Sequence, residues 1–386
     1  MKARLKNPFK FDVEVAGEFF CGRENDIEEL SDYIYNTTNV IMFSKRRIGK
    51  SSLIKEVFSS HLENNVLKAH IDIYSISNTR ELFLKLQEGV KNSLSYELTT
   101  IEKASMIISD IQKYFKNSVV TMVISSSPEL KIQSVDMNYY KAIENLFSDY
   151  FDYLKAKNLT CVFAIDEFQK IVSLPDSEKI EELLRTIINK RGEIGSFIFT
   201  GSKRNILLAM FSDVSRAFFK LGSEIPLEPI EIETFYNWAS ERFHRKSIFL
   251  DRTAFNYLYE LADGETRFIQ QICHDLFRKC KETDIIDELT MSKEIDLLIN
   301  KKTYIIQLFN KYSVPQQNAL KIIVASNGSA IYNKAILEEY SMSKQSLQSA
   351  VKALLKENTI FEENGKYVFE DVEFKLWIKS QLLFSL

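Results

Sequence analysis

The stretch TNVIMFSKRRIGKSSLIK, residues 38–55, decides how the chain is read. Its apolar run at 39–43 predicts a buried strand. A polar, basic segment follows at 44–48, and Gly49-Lys50-Ser51 opens a helix with Leu53, Ile54 and Val57 on its apolar face. Strand, loop and helix in that order form the context that a phosphate-binding loop requires. Backbone N–H groups at a helix N-terminus point at bound phosphate, and the helix dipole favours negative charge there. Lys50 is then placed to reach the β- and γ-phosphates, and the Ser51 hydroxyl to ligate Mg²⁺. The pattern G-x-x-x-x-G-K-[ST] starts with Gly, where this chain has Ser44. Glycine serves at such positions because it reaches backbone angles that other residues avoid. A Gly-Lys-Ser triplet alone can be merely a helix that begins at a glycine, so the rest of the chain must supply partners.

The second signal is LTCVFAIDEF, residues 159–168. A continuous apolar run of this kind is a parallel strand buried on both faces. Its closing acid pair, Asp166-Glu167, falls at the carboxyl end of the strand, where open α/β sheets bind ligands. Asp166 is the candidate for holding Mg²⁺ through water, and Glu167 for polarising the attacking water. GSFIFTGS, residues 195–202, is a further apolar strand; Ser202 at its end is either a γ-phosphate contact or a turn residue. Lys203 and Arg204 face either phosphate or solvent.

The totals are those of an ordinary globular protein: 386 residues, 45% hydrophobic, 27% charged, net charge −3. That length allows two or three domains. The near-neutral balance excludes a global field drawing the protein to nucleic acid. The cysteines, Cys21, Cys161, Cys273 and Cys280, make no metal-ligand spacing and read as reduced structural thiols. No apolar run approaches 18 residues, and the first residues carry no signal-peptide core. The expectation is a cytoplasmic protein with no membrane contact.

Taken in order, Glu24 starts a helix with Ile27, Leu30 and Ile34 at helical spacing, either one that closes over a base and ribose or a plain amphipathic surface helix. A strand is predicted at 66–76 and a helix at 79–95. A helix at 101–116 precedes a hairpin, 119–125 with 129–135, turning at Ser127-Pro128. The aromatic stripe of a helix at 139–154 reads as core. A helix is predicted over 205–219 and an edge strand with Pro226 at 222–230. From 232 to 300 the period is helical throughout. Arg267 falls in the first turn of one of these helices, where a cation opposes the dipole, so it requires an anionic partner, either phosphate or a surface acid.

Residues 314–369 predict a helix from Pro315, a second at 331–340 and a third capped by Ser343. A hairpin of 359–361 with 366–369 follows, turning at Asn364-Gly365. This is a winged helix, a form that often sets its third helix in the DNA major groove. Lys344, Gln345, Gln348 and Lys352 face outward, but Glu362 and Glu363 sit on the wing. From Tyr304 onward there are nine Lys, no Arg and eight acids. Affinity for DNA comes largely from Lys and Arg on phosphates. The balance favours a protein-contact or intramolecular role over duplex binding, with DNA kept as the alternative.

Together these residues resemble the "archaeal ATPase" family of P-loop ATPases, of the STAND group near the AAA+ ATPases. The resemblance rests on Phe20-Cys21-Gly22-Arg23-Glu24, on Arg46-Arg47-Ile48-Gly49-Lys50-Ser51-Ser52-Leu53, on Phe163 to Gln169 (FAIDEFQ), on Phe199-Thr200-Gly201-Ser202, and on Phe369 to Trp377 (FEDVEFKLW). It spans roughly residues 18–380 in the family's order. It implies a P-loop α/β core at 1–230, a helical lid at 231–303 and a winged-helix domain at 304–386. It further implies an ATPase that uses ATP and Mg²⁺, contacted by Arg23, Arg47, Ile48, Gly49, Lys50, Ser51 and Ser52. Gly264-Glu265-Thr266-Arg267 resembles the second sensor of origin-recognition ATPases, which makes Arg267 a phosphate contact. By the same resemblance Arg216 is a finger acting on a neighbouring subunit's nucleotide. ATP or ADP, a protein partner or a second copy, and DNA through the winged helix are the partners so implied.

Overall fold

Five runs between residues 40 and 226 become the strands of one parallel sheet. In the computed structural model, which describes residues 6–95, 101–123, 129–134, 138–363 and 365–383, the strands are β1 (Val40–Phe43), β2 (Val66–Asp72), β3 (Ser118–Val123), β4 (Glu129–Ser134), β5 (Thr160–Asp166), β6 (Gly195–Gly201) and β7 (Ser223–Pro226). Five of them pair in the order β2-β5-β6-β1-β7. Register aligns Asp72 with Asp166, Ile165 with Phe199, and Phe43 with Gly201. The carboxyl ends of β1, β5 and β6 therefore lie side by side, which is where such sheets place ligands. The strand β7 takes the edge, where Pro226 costs no ladder bond.

The chain divides into two units. One is Arg23–Ser44 with Lys50–Leu227; the other is Met1–Gly22 with Lys45–Gly49 and Glu228–Leu386. In the first, aromatic rings fill the sheet's faces: Phe163, Phe197, Phe199, Phe168 and Phe218 are all buried. The stripe Phe147, Tyr150, Phe151 and Tyr153 of the helix Tyr139–Lys157 joins this core, as its spacing predicts. The hairpin β3–β4 forms in the expected place, and its turn at Ser127-Pro128 lies outside the described residues. The helix expected over 205–219 runs only from Arg204 to Ser212. Asp213 ends it: its carboxylate accepts from the N–H and hydroxyl of Ser215, at 2.9 and 2.8 Å, a local turn that competes with helical pairing. Arg216 consequently stands in a turn.

The second unit holds the helices Ile232–His244, Arg252–Leu261, Thr266–Lys279 and Glu288–Asn300. Between them the two-residue strands β8 (Phe249–Leu250) and β9 (Ile285–Ile286) pair in parallel, which corrects the expectation of helix throughout. Two residues are too few to show a period of two. Its winged helix has helices Val314–Ala325, Lys334–Glu339 and Lys344–Lys356, then antiparallel β10 (Ile360–Glu363) and β11 (Lys366–Phe369). The Ser343 hydroxyl caps the third helix by accepting from Ser346 N–H. The second helix starts later than expected because Asn333 caps it, accepting from Ala335 N–H. Helices Thr303–Asn310 and Val372–Leu383 precede and follow these elements, beyond the three helices read from the sequence. Gly365 turns the wing at φ 74°, while Asn364 lies outside the described residues. All the cysteines are free, and Cys21, Cys161 and Cys273 are buried. No described helix is long and apolar enough to cross a membrane.

Candidate functional site

The loop after β1 takes its left-handed turns at Arg47 (φ 62°) and Gly49 (φ 109°). Ser44 is not among the left-handed residues. The backbone therefore does not call for glycine at 44, and the departure from the loop pattern is absorbed without strain. Ser44 is instead used: its buried hydroxyl accepts from the Lys50 ammonium at 2.9 Å. At Gly49 there is open space around a would-be Cβ, so its φ alone demands glycine.

At the end of β5, Asp166 is held by three elements. Ser51 Oγ, from the helix Lys50–Ser60, donates to its Oδ2 at 2.8 Å. His70 Nε2, from β2, lies 3.0 Å from the same oxygen. Thr200 Oγ1, from β6, donates to Oδ1. Glu167 follows in the left-handed region (φ 58°) and precedes a short 3-10 helix, Phe168–Ser173. Its Oε2 accepts from Ser202 Oγ at 2.8 Å and from Gln169 Nε2. The structure thus brings Lys50, Ser51, Asp166, Glu167 and Ser202 together around the ends of β1, β5 and β6. A serine hydroxyl beside a carboxylate is a hard oxygen donor set of the kind Mg²⁺ takes. Residues that the sequence reading did not single out are His70, Thr200 and Gln169. Thr200 and Gln169 stood inside the motifs quoted above; His70 became a neighbour of Asp166 only through the pairing of β2 with β5.

Of the remaining candidates, Arg23 and Arg216 have acidic partners. Arg23, nearly buried and left-handed at φ 70°, pairs with Asp26 at 2.9 Å. Ser52 is half-buried on the helix that follows the loop. Arg216 binds Glu181 through Nε at 3.0 Å and through Nη2. Burial pushes the Glu181 carboxyl up against the pull of that arginine. Lys203 is exposed; Arg204 lies with its guanidinium 4.9 Å from the Phe43 ring centre.

Within the second unit, the loop residues Lys45–Gly49 are bound to the turn before the helix Thr266–Lys279 and to the winged helix with the segment after it. Lys45 pairs with Glu363 at 3.0 Å, Arg46 with Glu370 at 3.2 Å, and Arg47 with Asp371 at 3.4 Å. Arg47 also lies 3.8 Å from Glu265. Ile48 is buried, and its carbonyl accepts from Thr266 Oγ1 at 3.0 Å; the Arg47 carbonyl accepts from Arg267 N–H at 3.2 Å. The Arg267 side chain meets acids, Asp12 at 2.7 Å and Glu373 at 3.5 Å. Glu373, buried, also accepts from Lys302 and, at 2.8 Å, from Tyr304 Oη. Burial raises the Glu373 carboxyl, yet these partners hold it below its ordinary value. Glu265 goes the other way: burial, with Asp371 and Glu373 nearby, lifts it to about 8 despite Arg47. Arg47 is held above its ordinary value, because Asp371, Glu265 and Glu373 outweigh its burial.

A family model described as a probable winged helix domain matches residues 303–380. No curated protein sequence matches the chain. Among solved structures, a Walker-type ATPase of Pyrococcus abyssi superposes with a TM-score of 0.65 at 16% identity, covering 96% of this chain and 99% of its own. The ORC2 protein of Aeropyrum pernix, solved in ADPNP and ADP complexes, gives 0.54 at 13% identity, covering 94% and 95%. At these identities the likeness is one of fold. The chain has the fold of the P-loop ATPases, a parallel five-stranded core with helices, and carries a winged helix at its C-terminal end.

Proposed function

We propose that the protein binds ATP with Mg²⁺ and hydrolyses it slowly, using the state of the nucleotide to set its lid and winged helix. The observation that carries this reading is the cluster at the sheet's carboxyl edge: Ser51 Oγ on Asp166, with Lys50 at the start of the same helix and Glu167 alongside. Ser51 and Asp166 are the residues to hold the metal ion, which when bound offsets phosphate charge. Lys50 binds the β- and γ-phosphates. Glu167 takes a proton from water as its oxygen bonds to the γ-phosphorus and the bond to the bridging oxygen breaks, giving ADP and phosphate. Ser202 contacts the γ-phosphate. Arg23, Arg47, Ile48, Gly49 and Ser52 line the nucleotide, Arg267 serves as the second sensor and Arg216 as a finger toward a second copy. An α/β core at 1–230, a lid at 231–303 and a winged helix from 304 are the parts so moved.

The switch reading is supported by the pairs of Lys45, Arg46 and Arg47 with acids of the wing and the segment after it. Arg47 is the one of these cations assigned to the nucleotide above, so nucleotide competes with its pair to Asp371. A ligand shifts such an equilibrium only through different affinities for the two states. Duplex binding is the second reading, since Lys344, Gln345, Gln348 and Lys352 are exposed on the third helix. A steep loss of duplex affinity with salt supports it.

The test is thermal unfolding with and without Mg-ATP, on wild type and Lys50→Ala. Ligand at about 100 times its dissociation constant adds roughly 2.7 kcal/mol. Stabilisation in wild type that vanishes in Lys50→Ala is the expected result. Equal shifts in both proteins place the nucleotide elsewhere.

A further inference from the structure

Glu167 is held by a device that its role as a base does not by itself require. Its backbone is left-handed, a sparsely populated region for a residue with a side chain, so its orientation depends on the contacts that hold it. Among the described residues its side-chain partners are Ser202 and Gln169, both donating to Oε2. A serine hydroxyl has a single proton to donate. If Ser202 gives it to the γ-phosphate, as proposed above, it gives up Glu167. Gln169 is the partner that remains.

Gln169 is built to stay. Its side chain is buried, only 6% exposed. A carboxylate offers no donor, so the amide NH₂ must face Glu167 and the amide oxygen the other way. That oxygen is fully buried and has no hydrogen-bond partner. It occupies the space of a side chain on Gly201: a Cβ built there would fall 1.9 Å from it. Gly201 lies in β6 outside the left-handed region, so glycine is required there by space and not by backbone. A buried acceptor without a donor lowers stability. The fold keeps one here, and the contact that comes with it is the one to Glu167.

We propose that Gln169 is a positioning residue for Glu167, seated by the missing side chain of Gly201, and that it holds the carboxylate in place while Ser202 turns to phosphate. The proposal rests on Glu167 acting as the base. In Gln169→Leu the orphan acceptor is gone and so is the donor. The full chain should unfold at the same temperature as wild type or higher, bind Mg-ATP equally well, and hydrolyse it about ten- to a hundredfold more slowly, the scale of a small misplacement of a catalytic group. The loss should fall on kcat and leave KM unchanged, because Gln169 touches Glu167 and not the nucleotide.

Gly201→Ala supplies a second variant. It puts a methyl where the amide oxygen lies and pushes Gln169 aside without backbone strain. It should lower kcat and spare KM as Gln169→Leu does. Unchanged kcat in both variants would overturn the proposal. So would a slower rate with a raised KM and a lower unfolding temperature, which marks a packing role. Glu167→Gln run alongside separates the two layers. Wild-type hydrolysis in Glu167→Gln removes the base assignment itself. A slow Glu167→Gln beside a wild-type-like Gln169→Leu removes only the positioning role.

Discussion

Two groups of carboxylates in this molecule are held in opposite ways. At the end of β5, Asp166 and Glu167 are gripped by hydroxyls, an imidazole and an amide: Ser51, Thr200, His70, Ser202 and Gln169. Among the described residues neither is paired with a lysine or arginine. In the second unit, Glu373 and Asp371 face Lys302, Arg267 and Arg47. Hydroxyl and amide donors fix where a carboxylate points and leave its charge for something else to meet. Cations cancel that charge. The first arrangement suits a site awaiting a metal ion and water, and the second suits a joint that holds structure together.

The comparison is broken most directly by removing one acid from each group. Glu373→Leu leaves Lys302 and Arg267 without their buried partner, and losing half of a buried pair costs about 3–5 kcal/mol. Asp166→Asn removes hydrogen bonds of about 1 kcal/mol net each, and an amide keeps part of them. Chemical unfolding should therefore show the larger loss in Glu373→Leu, while Asp166→Asn keeps more of its stability and loses the Mg²⁺ dependence of nucleotide stabilisation. Equal stability losses would mean that both groups are structural.

These two groups also differ in how legible they were. The sheet site was readable because each part lies within one short stretch. Strand, loop and helix at 38–55 and the apolar run before Asp166-Glu167 carry their geometry in local spacing. What escaped was whatever depended on pairing between distant strands. His70 looks like a stray polar residue in β2 until β2 lies beside β5, and Thr200 and Gln169 gain partners only from that assembly. In the second unit almost nothing was legible beyond the helices and the wing. Arg267 was expected to need an anion, and it has two in Asp12 and Glu373, but neither lies near it in sequence. The acids Glu363, Glu370 and Asp371 that meet Lys45, Arg46 and Arg47 stand more than 300 residues further along, a distance no periodicity spans. The end of the helix at Ser212 was missed because one side chain, Asp213, overrode an apolar pattern that continued to Phe219.

A finer contrast lies in pH dependence. Glu265 is lifted to about 8 by burial, against about 4.3 for an ordinary glutamate. Between those values the folded chain keeps a proton that the unfolded chain has lost. The contribution is whole below pH of about 4 and is lost as pH rises to about 8, with a slope of at most about 1.4 kcal/mol per unit. Glu265→Gln has no proton to lose. Unfolding free energies measured at about pH 5 and about pH 8.5 should fall more for wild type than for this variant. An unchanged slope would show that Arg47, 3.8 Å away, keeps Glu265 charged, and that this acid belongs with its paired neighbours.

The smallest expected effect concerns the residue where the loop pattern and this chain disagree. Were the first loop position left-handed, Ser44→Gly would relieve strain and strengthen both fold and nucleotide binding. Ser44 is not left-handed, and its hydroxyl accepts from Lys50. The substitution then frees the unfolded chain and deletes one hydrogen bond, for a loss of about 1 kcal/mol. Nucleotide affinity should move by less than about tenfold, since tenfold corresponds to about 1.4 kcal/mol and phosphate takes over the Lys50 ammonium in the bound state. Tighter binding in Ser44→Gly, read by titration at fixed Mg²⁺, would show that the loop turns left-handed at 44 when phosphate enters. The serine would then hold the empty loop in a shape that the nucleotide must undo. Unaltered binding with slightly lower stability would make Ser44 a resting place for the lysine and nothing more. The hydroxyl would then work as the donors around Asp166 and Glu167 do, fixing a charged group without neutralising it.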